Sequence, residues 1–266
     1  MSIKISSCHC LLLVLFLLNF SVQAQQTGAL SQEIIIGKPE LGMDFPVVSI
    51  SGEAAIIRYD QNDHKGVTRA IGDFQNDIEK VTTVKPSLQS FSKSDDKEIL
   101  IGTIGKSRVI DNLVSSGDLE ITEIKDKWES FIIKATEDKL IIAGSDKRGT
   151  IYGIYELSRQ LGVSPWYWWA DVPPKKRNSA FVKAGKYISE EPKVKYRGIF
   201  INDEEPAFGN WAREKFGGIN SEMYSHMFEL LLRLRANYLW PAMWGKAFNE
   251  DDPLNPKVAD EYGIVM

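Results

Sequence analysis

Cysteine is nearly absent: the 266 residues hold two, Cys8 and Cys10, both near the start of the chain. Everything after them is free of thiols, which excludes structural disulfides and thiolate metal sites from that portion. Histidine is almost as scarce, and of its three copies His64 and His226 stand isolated, as surface or packing residues do. Positive charge is not in excess either. The formal net charge is −4, without the basic stripe that announces a nucleic-acid partner. Lys175-Lys176-Arg177 is too short to supply one and reads as a solvated loop. No apolar run reaches the ~20 residues a membrane span requires. The run from Leu11 to Leu18 follows Lys4 and leads into Ser21-Val22-Gln23-Ala24. A cationic start, a short apolar centre and a small-residue exit describe a secretory signal peptide over residues 1–24. Cleavage after Ala24 is expected, giving a secreted or periplasmic protein; with no Cys after the run, a lipid anchor is not expected.

The apolar fraction of 43% and charged fraction of 26% are those of a folded globular chain. Short β-branched runs at Ile34–Ile36, Val47–Ile50, Ala54–Tyr59, Ile99–Ile104, Phe131–Ala135 and Leu140–Ala143, bounded by Gly, Asp or Ser, read as strands. Val67, Ile71, Phe74, Ile78 and Val81 recur at helical spacing and predict a helix from His64 to about Thr82. A shorter helix is predicted over Ser107–Leu113. Glu137-Asp138 between two apolar runs signals a hairpin. Asp146 stands where an N-cap belongs and Gly162 where a C-terminal glycine ends a helix, bracketing a helix up to Leu161. Strands with helices packed on one side make an α+β domain over residues 25–186. The polar stretch Ile188–Val194 reads as a linker, with a second domain over 187–266.

Trp166-Tyr167-Trp168-Trp169, framed by prolines, cannot be a helix with one buried face. Two readings stay open: an aromatic plug between domains, or a wall on which a sugar stacks. Beyond it, Tyr196–Ile201 is a nearly continuous apolar run, as in a strand covered on both faces. Met223, Met227, Leu231 and Leu234 then predict an amphipathic helix, and Tyr238–Ala242 a second strand. This is one βαβ crossover. About 70 residues follow Lys195, whereas a (β/α)8 barrel takes about 250, and the closing EYGIVM resembles a further strand. The expectation is the front portion of a longer protein.

The loop after the first strand reads Asn202-Asp203-Glu204-Glu205. In barrels of this kind the working residues sit at the C-terminal ends of strands. Side-chain alternation would send Asp203 and Glu205 to one side and Glu204 to the other. Glycoside hydrolysis uses a pair of carboxyl groups, one acid and one base or nucleophile, and aromatic residues such as Trp240 and Trp244 suit the apolar faces of sugars. The next loop offers no carboxylate before Glu250 and Asp251. Such a charge run is also what an ordinary solvated loop looks like.

The stretches GSDKRGTIYGIYELSRQLGVSPWYWWADVPP, VKYRGIFINDEEP and LRLRANYLWPAMW together resemble glycoside hydrolase family 115. The resemblance implies an exported xylan α-1,2-glucuronidase that removes glucuronic acid or its 4-O-methyl ether by single-step inverting hydrolysis. It implies an α+β first domain like the small domain of β-hexosaminidases, then a (β/α)8 TIM barrel. Asn202 and Asp203 match first-strand pocket residues: Asp203 as a catalytic carboxylate or water-positioning group, Asn202, Glu204 and Trp244 as substrate-binding. The remaining acid would come from later strands, which leaves this polypeptide alone inactive. The implied partner is glucuronoxylan or its oligosaccharides, with no cofactor or metal, and a homodimer for the full-length form. The alternatives from other classes are a non-catalytic carbohydrate-binding protein using the Trp166–Trp169 wall, and another barrel glycosidase such as a hexosaminidase relative.

Overall fold

The computed structural model describes residues 30–40, 42–90, 97–241 and 245–266; the predicted signal peptide and Trp244 lie outside them. The chain opens with strands β1 (Ile35–Ile36), β2 (Phe45–Val48) and β3 (Ile56–Tyr59), then helix α1 (Lys65–Thr82). Next come β4 (Leu88–Ser90), β5 (Glu98–Thr103), α2 (Arg108–Ser115), the hairpin β6 (Phe131–Ala135) and β7 (Lys139–Gly144), and α3 (Lys147–Leu161). Strands β8 (Ala180–Val182) and β9 (Gly185–Ser189) follow.

Six strands form one mixed sheet in the order β4-β3-β5-β7-β6-β9, parallel from β4 to β7 and antiparallel beyond. Alternation along the strands explains why their sequences are apolar throughout. Ile99, Ile101, Phe131, Ile133, Leu140 and Ile142 face the large core with α1 and α3. Leu100, Ile132, Ile141 and Ala143 face a smaller core with Val109, Ile110 and Leu113 of α2. Helices therefore cover both faces, where the sequence pattern predicted one; the continuous strand runs are the sign of the second layer. A small antiparallel sheet, β1-β8-β2, closes one end, tied to α3 where the Ile34 amide donates to Gln160 Oε1 at 2.7 Å.

Helix α3 is the centre of the packing. Asp146 caps it, accepting from the Gly149 amide at 2.8 Å, and Gly162 ends it in the left-handed region at φ 113°. Gly153 lets it lie against the sheet, since a Cβ there would meet Ile142 at 2.8 Å and Phe131 at 3.2 Å. Strand β9 runs through Ser189 on the edge of the large sheet, paired with β6, so residues predicted as linker are partly strand.

The remaining residues build β10 (Gly198–Ile201), α4 (Ala207–Phe216), α5 (Ser221–Arg233), β11 (Tyr238–Pro241), α6 (Phe248–Asp251) and α7 (Asn255–Tyr262). Strands β10 and β11 are parallel. Val265 then bridges Tyr238 in parallel on the far side, through Leu239 N to Val265 O at 2.9 Å and Val265 N to Asn237 O at 2.8 Å. The predicted crossover is present and carries an unpredicted helix, α4. Two expectations fail here. Strand β10 is not covered on both faces: Ile199 and Phe200 are 43% and 61% exposed, because only β11 pairs with it among the described residues. Leu234 is not part of the buried stripe of α5; it is the exposed residue that ends the helix.

Three arginines fasten this unit to the first domain. Arg233 reaches buried Asp77 at 2.8 Å and bonds Glu229 within α5 at 2.8 Å, its guanidinium lying over the rings of Tyr155 and Tyr167. Arg235 pairs with Glu156 at 2.9 Å. Arg197 pairs with Glu129, which also receives Arg148 and Asn237. Replacing Arg233 by Met would leave buried Asp77 only the longer contact with Lys80 at 3.5 Å, and losing one partner of a buried pair costs about 3–5 kcal/mol. The expected result is a clear fall in the urea midpoint of Arg233→Met; an unchanged midpoint would show that the pair contributes little.

Candidate functional site

Open α/β sheets bind ligands beyond the carboxyl ends of their parallel strands, where the strand order reverses. In the large sheet that place lies between β3 and β5, and the chain fills it itself. Asp60 accepts from the backbone amide of Arg108 at 3.1 Å and pairs with its side chain at 2.8 Å, which holds its carboxyl well below the usual range. Asp63 accepts from the amides of Thr103 at 2.8 Å and His64 at 2.7 Å. With the donors taken, this end is a structural joint.

The carboxyl ends of β10 and β11 are different. Strand β10 stops at Ile201, and Asn202 Oδ1 accepts from the Glu204 amide at 3.2 Å, a local turn that leaves Asn202 exposed and directs Asp203 inward. Asp203 is 1% exposed, and neither carboxylate oxygen has a hydrogen-bond partner among the described residues. Burial raises its pKa above 3.8; its own backbone amide and then Lys246 oppose that rise, and Glu204 and Asp251 add to it. From the other side comes Tyr224 of α5, buried and with a phenol pushed up first by burial, then by the charges of Asp203 and Asp251. Tyr224 is held by Phe248, edge-on at 4.9 Å, and by Phe228, stacked at 5.7 Å. The loop carrying Lys246 is ordered by Asp251, which accepts from the Ala247 amide at 3.0 Å. Asp252 accepts from the Ser221 amide at 2.8 Å and so ties this loop to the start of α5.

One carboxyl thus sits desolvated where three elements converge, beside a phenol and within the field of one lysine. A carboxyl with a raised pKa can hold a proton at a pH where exposed carboxylates have lost theirs, as a general acid must. Of the predicted residues, Asp203 occupies this position, Glu204 is half-buried beside it, and Asn202 faces solvent. Glu205 does not share the side of Asp203: it is exposed and paired with Arg213 of α4. The strand ends before it, so alternation no longer applies. Trp244 lies outside the described residues. Tyr224 and Lys246 escaped the sequence reading. Tyr224 carries no signal of its own beside the apolar stripe of its helix, while Lys246 could have been found by applying the strand-end rule to the second strand as well as the first.

The tryptophan segment takes the first of its two readings. Trp168 stacks on His226 at 4.1 Å and meets Trp169 edge-on at 5.0 Å. Trp169 packs against Trp211 at 5.5 Å and donates to the His226 carbonyl at 3.3 Å. The Tyr167 hydroxyl donates to Glu229 at 3.0 Å, and Trp166 alone of the four is exposed. These rings join the first domain to α4 and α5. The exposed aromatic pair is elsewhere: Phe200 and Trp240, paired across β10 and β11 with centroids 6.1 Å apart. Among the described residues, no group of three or more His, Cys, Asp or Glu side chains is placed to hold a metal ion, and no helix is long and apolar enough to cross a membrane.

Comparison with known proteins places these features. The family model described as glycosyl hydrolase family 115 matches residues 189–266, and that of the glycosyl hydrolase family 67 N-terminus matches residues 54–157. Among solved structures the chain is similar to a family GH115 4-O-methyl-α-glucuronidase with specificity for decorated arabinogalactans. The identity is 35% and the TM-score 0.72, over 84% of this chain and 29% of that one. The chain therefore spans under a third of that relative's length. It also shows slight likeness to a glycoside hydrolase family 20 β-N-acetylglucosaminidase, at 16% identity and TM-score 0.44 over 81% of this chain and 31% of that one. For the GH20 β-N-acetylhexosaminidase from Streptomyces coelicolor A3(2) the values are 10% and 0.47 over 81% and 34%. No curated protein matches the chain.

The state of Asp203 has a consequence for stability. Its folded-state pKa is raised above 3.8, so the unfolded chain gives up this proton at a lower pH than the folded one. The contribution is fully present below 3.8 and is lost as pH rises through the folded value. Asp203→Asn removes the ionisation, and the variant is expected to unfold at a higher temperature than the parent at pH 7, with the gap closing towards pH 4. A variant less stable than the parent at pH 7 would overturn the picture of an uncompensated carboxylate.

Proposed function

Because the chain belongs to glycoside hydrolase family 115, we propose that residues 198–266 form the opening strands and helices of a (β/α)8 barrel whose first strand end carries Asp203 as a catalytic carboxyl. The barrel reading is supported by three consecutive parallel positions, β10, β11 and Val265, joined through helices. It is supported as well by the exposed faces of Ile199, Phe200 and Trp240, which further strands would cover. The activity proposed for the protein that contains this chain is removal of glucuronic acid, or its 4-O-methyl ether, from a decorated polysaccharide such as glucuronoxylan or arabinogalactan. The single observation that carries the assignment is the buried carboxyl of Asp203, without a hydrogen-bond partner among the described residues, at a strand's C-terminal end.

In an inverting reaction one carboxylic acid protonates the leaving oxygen while a carboxylate on the opposite face activates water. Asp203 supplies one of these groups. Its burial favours the protonated form, against which its own backbone amide and the charge of Lys246 act. Asn202, Glu204 and Trp244 are proposed to line the sugar pocket, Phe200 and Trp240 to offer it an aromatic floor, and Tyr224 to shield the Asp203 carboxyl from water. The second carboxyl is assigned to a later strand of the barrel. Export through residues 1–24 and a homodimer of the longer form belong to the same reading.

The test uses a longer form carrying the complete barrel. Asp203→Asn is expected to lower release of glucuronic acid from glucuronoxylan by at least about a hundredfold, the lower range of what a general acid or base contributes, with the fold intact by circular dichroism. Release near the parent rate would sink the assignment.

A further inference from the structure

A groove far from the Asp203 loop in sequence has no role in the activity proposed above. Its cavity of about 490 Å³ is lined by residues of β1 and the loop after it, by the segment between α3 and β8, and by the residue that follows β8. That volume is in the range of small-molecule and oligosaccharide sites. Four cations converge on it from these three segments: Lys38, Lys175, Arg177 and Lys183. Two carboxylates, Glu33 and Glu40, share the rim, and Glu40 is held by Lys183 at 3.3 Å. The local balance is thus positive on a chain whose net charge is −4.

The groove is built on fixed backbone. Lys175 N donates to the Gly162 carbonyl at 3.0 Å, and Arg177 N to the Val81 carbonyl at 3.0 Å. The Arg177 guanidinium is steered by its Nε, which donates to the Leu161 carbonyl at 3.2 Å. Lys183 N donates to Ile34 O at 2.9 Å, which joins the two lips. No hydrogen bond or ion pair engages the ammonium groups of Lys38 and Lys175 among the described residues. The floor is aliphatic, Ile35, Ile36 and Pro39, with no aromatic ring. Such a surface does not stack neutral sugars. It recognises charge on an extended, otherwise polar chain.

We propose that this groove is a second carbohydrate site that binds the uronate carboxylates of an acidic polysaccharide, apart from the Asp203 site. The proposal rests on the functional reading above only for its choice of anion, the glucuronate decoration itself. Arg177 offers a planar fork that a carboxylate can accept bidentately, and the lysines act as point charges along the chain. A site of this kind would keep a decorated polymer on the protein between cleavages without touching the reacting bond.

The probe is glucuronoxylan, compared with the same polymer after reduction of its carboxyl groups, in native affinity electrophoresis and titration calorimetry on the full chain. Retardation by the first and not by the second is expected, weakening steadily with added salt because exposed charges are screened beyond about 10 Å at 0.1 M. Lys38→Glu/Lys175→Glu changes two exposed side chains and is expected to weaken binding at least about tenfold. Asp203→Asn should leave it unchanged. Inorganic phosphate serves as competitor: displacement at millimolar concentration would show a general anion site and overturn the polysaccharide assignment. Absence of binding, equal binding of the reduced polymer, or indifference to the double charge reversal would each overturn the proposal. In the longer form the double variant should cleave a short aldouronic oligosaccharide at the parent rate and lose activity only on polymer. Hydrolysis by the parent longer form without any binding of polymer by the parent chain would refute the groove alone, and binding without hydrolysis would refute the catalytic reading alone.

Discussion

The molecule depends on a one-sided charge arrangement at the seam between its two parts. In the three ion pairs that cross it among the described residues, the acids, Asp77, Glu129 and Glu156, belong to the first domain and are buried, and the arginines, Arg197, Arg233 and Arg235, come from the second. Buried ion pairs are a poor source of net stability, because desolvation offsets most of the attraction. Their effect here is on geometry. An apolar seam would tolerate sliding by a residue or two, whereas each of these carboxylates meets its guanidinium in one register. Arg233 is further confined between Tyr155 and Tyr167, and Arg197 also donates to the Arg235 carbonyl at 2.9 Å, linking the start of β10 to the approach to β11.

That register reaches the candidate site through α5. Its C-terminal end carries Arg233 and is pinned on α1 and α3; its N-terminal end carries Tyr224 and is tied to the second loop by Asp252. The tryptophan plug holds the middle through His226 and Glu229. Catalytic groups need positioning to a fraction of an ångström, and a helix anchored along its whole length provides that better than a loop. The first domain, with its own strand ends closed by Asp60 and Asp63, acts as a foundation for a site it does not contain.

How much of this the amino-acid sequence disclosed follows from how local each signal is. Helices α1, α3 and α5 were legible because their stripes repeat over several turns and because Asp146 and Gly162 are chemical boundary marks. Helix α4 was missed: its fully buried positions are only Gly209 and Ala212, with its aromatic residues half-covered, so no periodic stripe exists to read. Strand β9 was missed because an edge strand with exposed Gly185 and half-buried Lys186 and Ile188 looks like a linker. Asp203 was reachable from its position after a strand. Its buried, partnerless state, and the approach of Tyr224 and Lys246, were not, since they arise from three elements meeting in space. The failed alternation at Glu205 has the same origin: period-two reasoning holds only while the backbone stays in the strand, and β10 ends four residues earlier.

The contrast between two sets of carboxylates gives the last step. Asp60, Asp63, Asp77, Glu129 and Glu156 are all buried, and each is answered by backbone amides or guanidinium groups. The same chain therefore satisfies buried carboxylates routinely, on five occasions within one domain. Asp203 is as buried as these and is answered by neither among the described residues. Leaving a buried acceptor without a partner costs about 1–3 kcal/mol, more when it is charged. Folding gains nothing from that cost, and a neighbouring asparagine or serine could have removed it. A carboxyl kept in this condition beside β10 and β11, whose aromatic faces are open, makes physical sense as one whose partner arrives with the substrate.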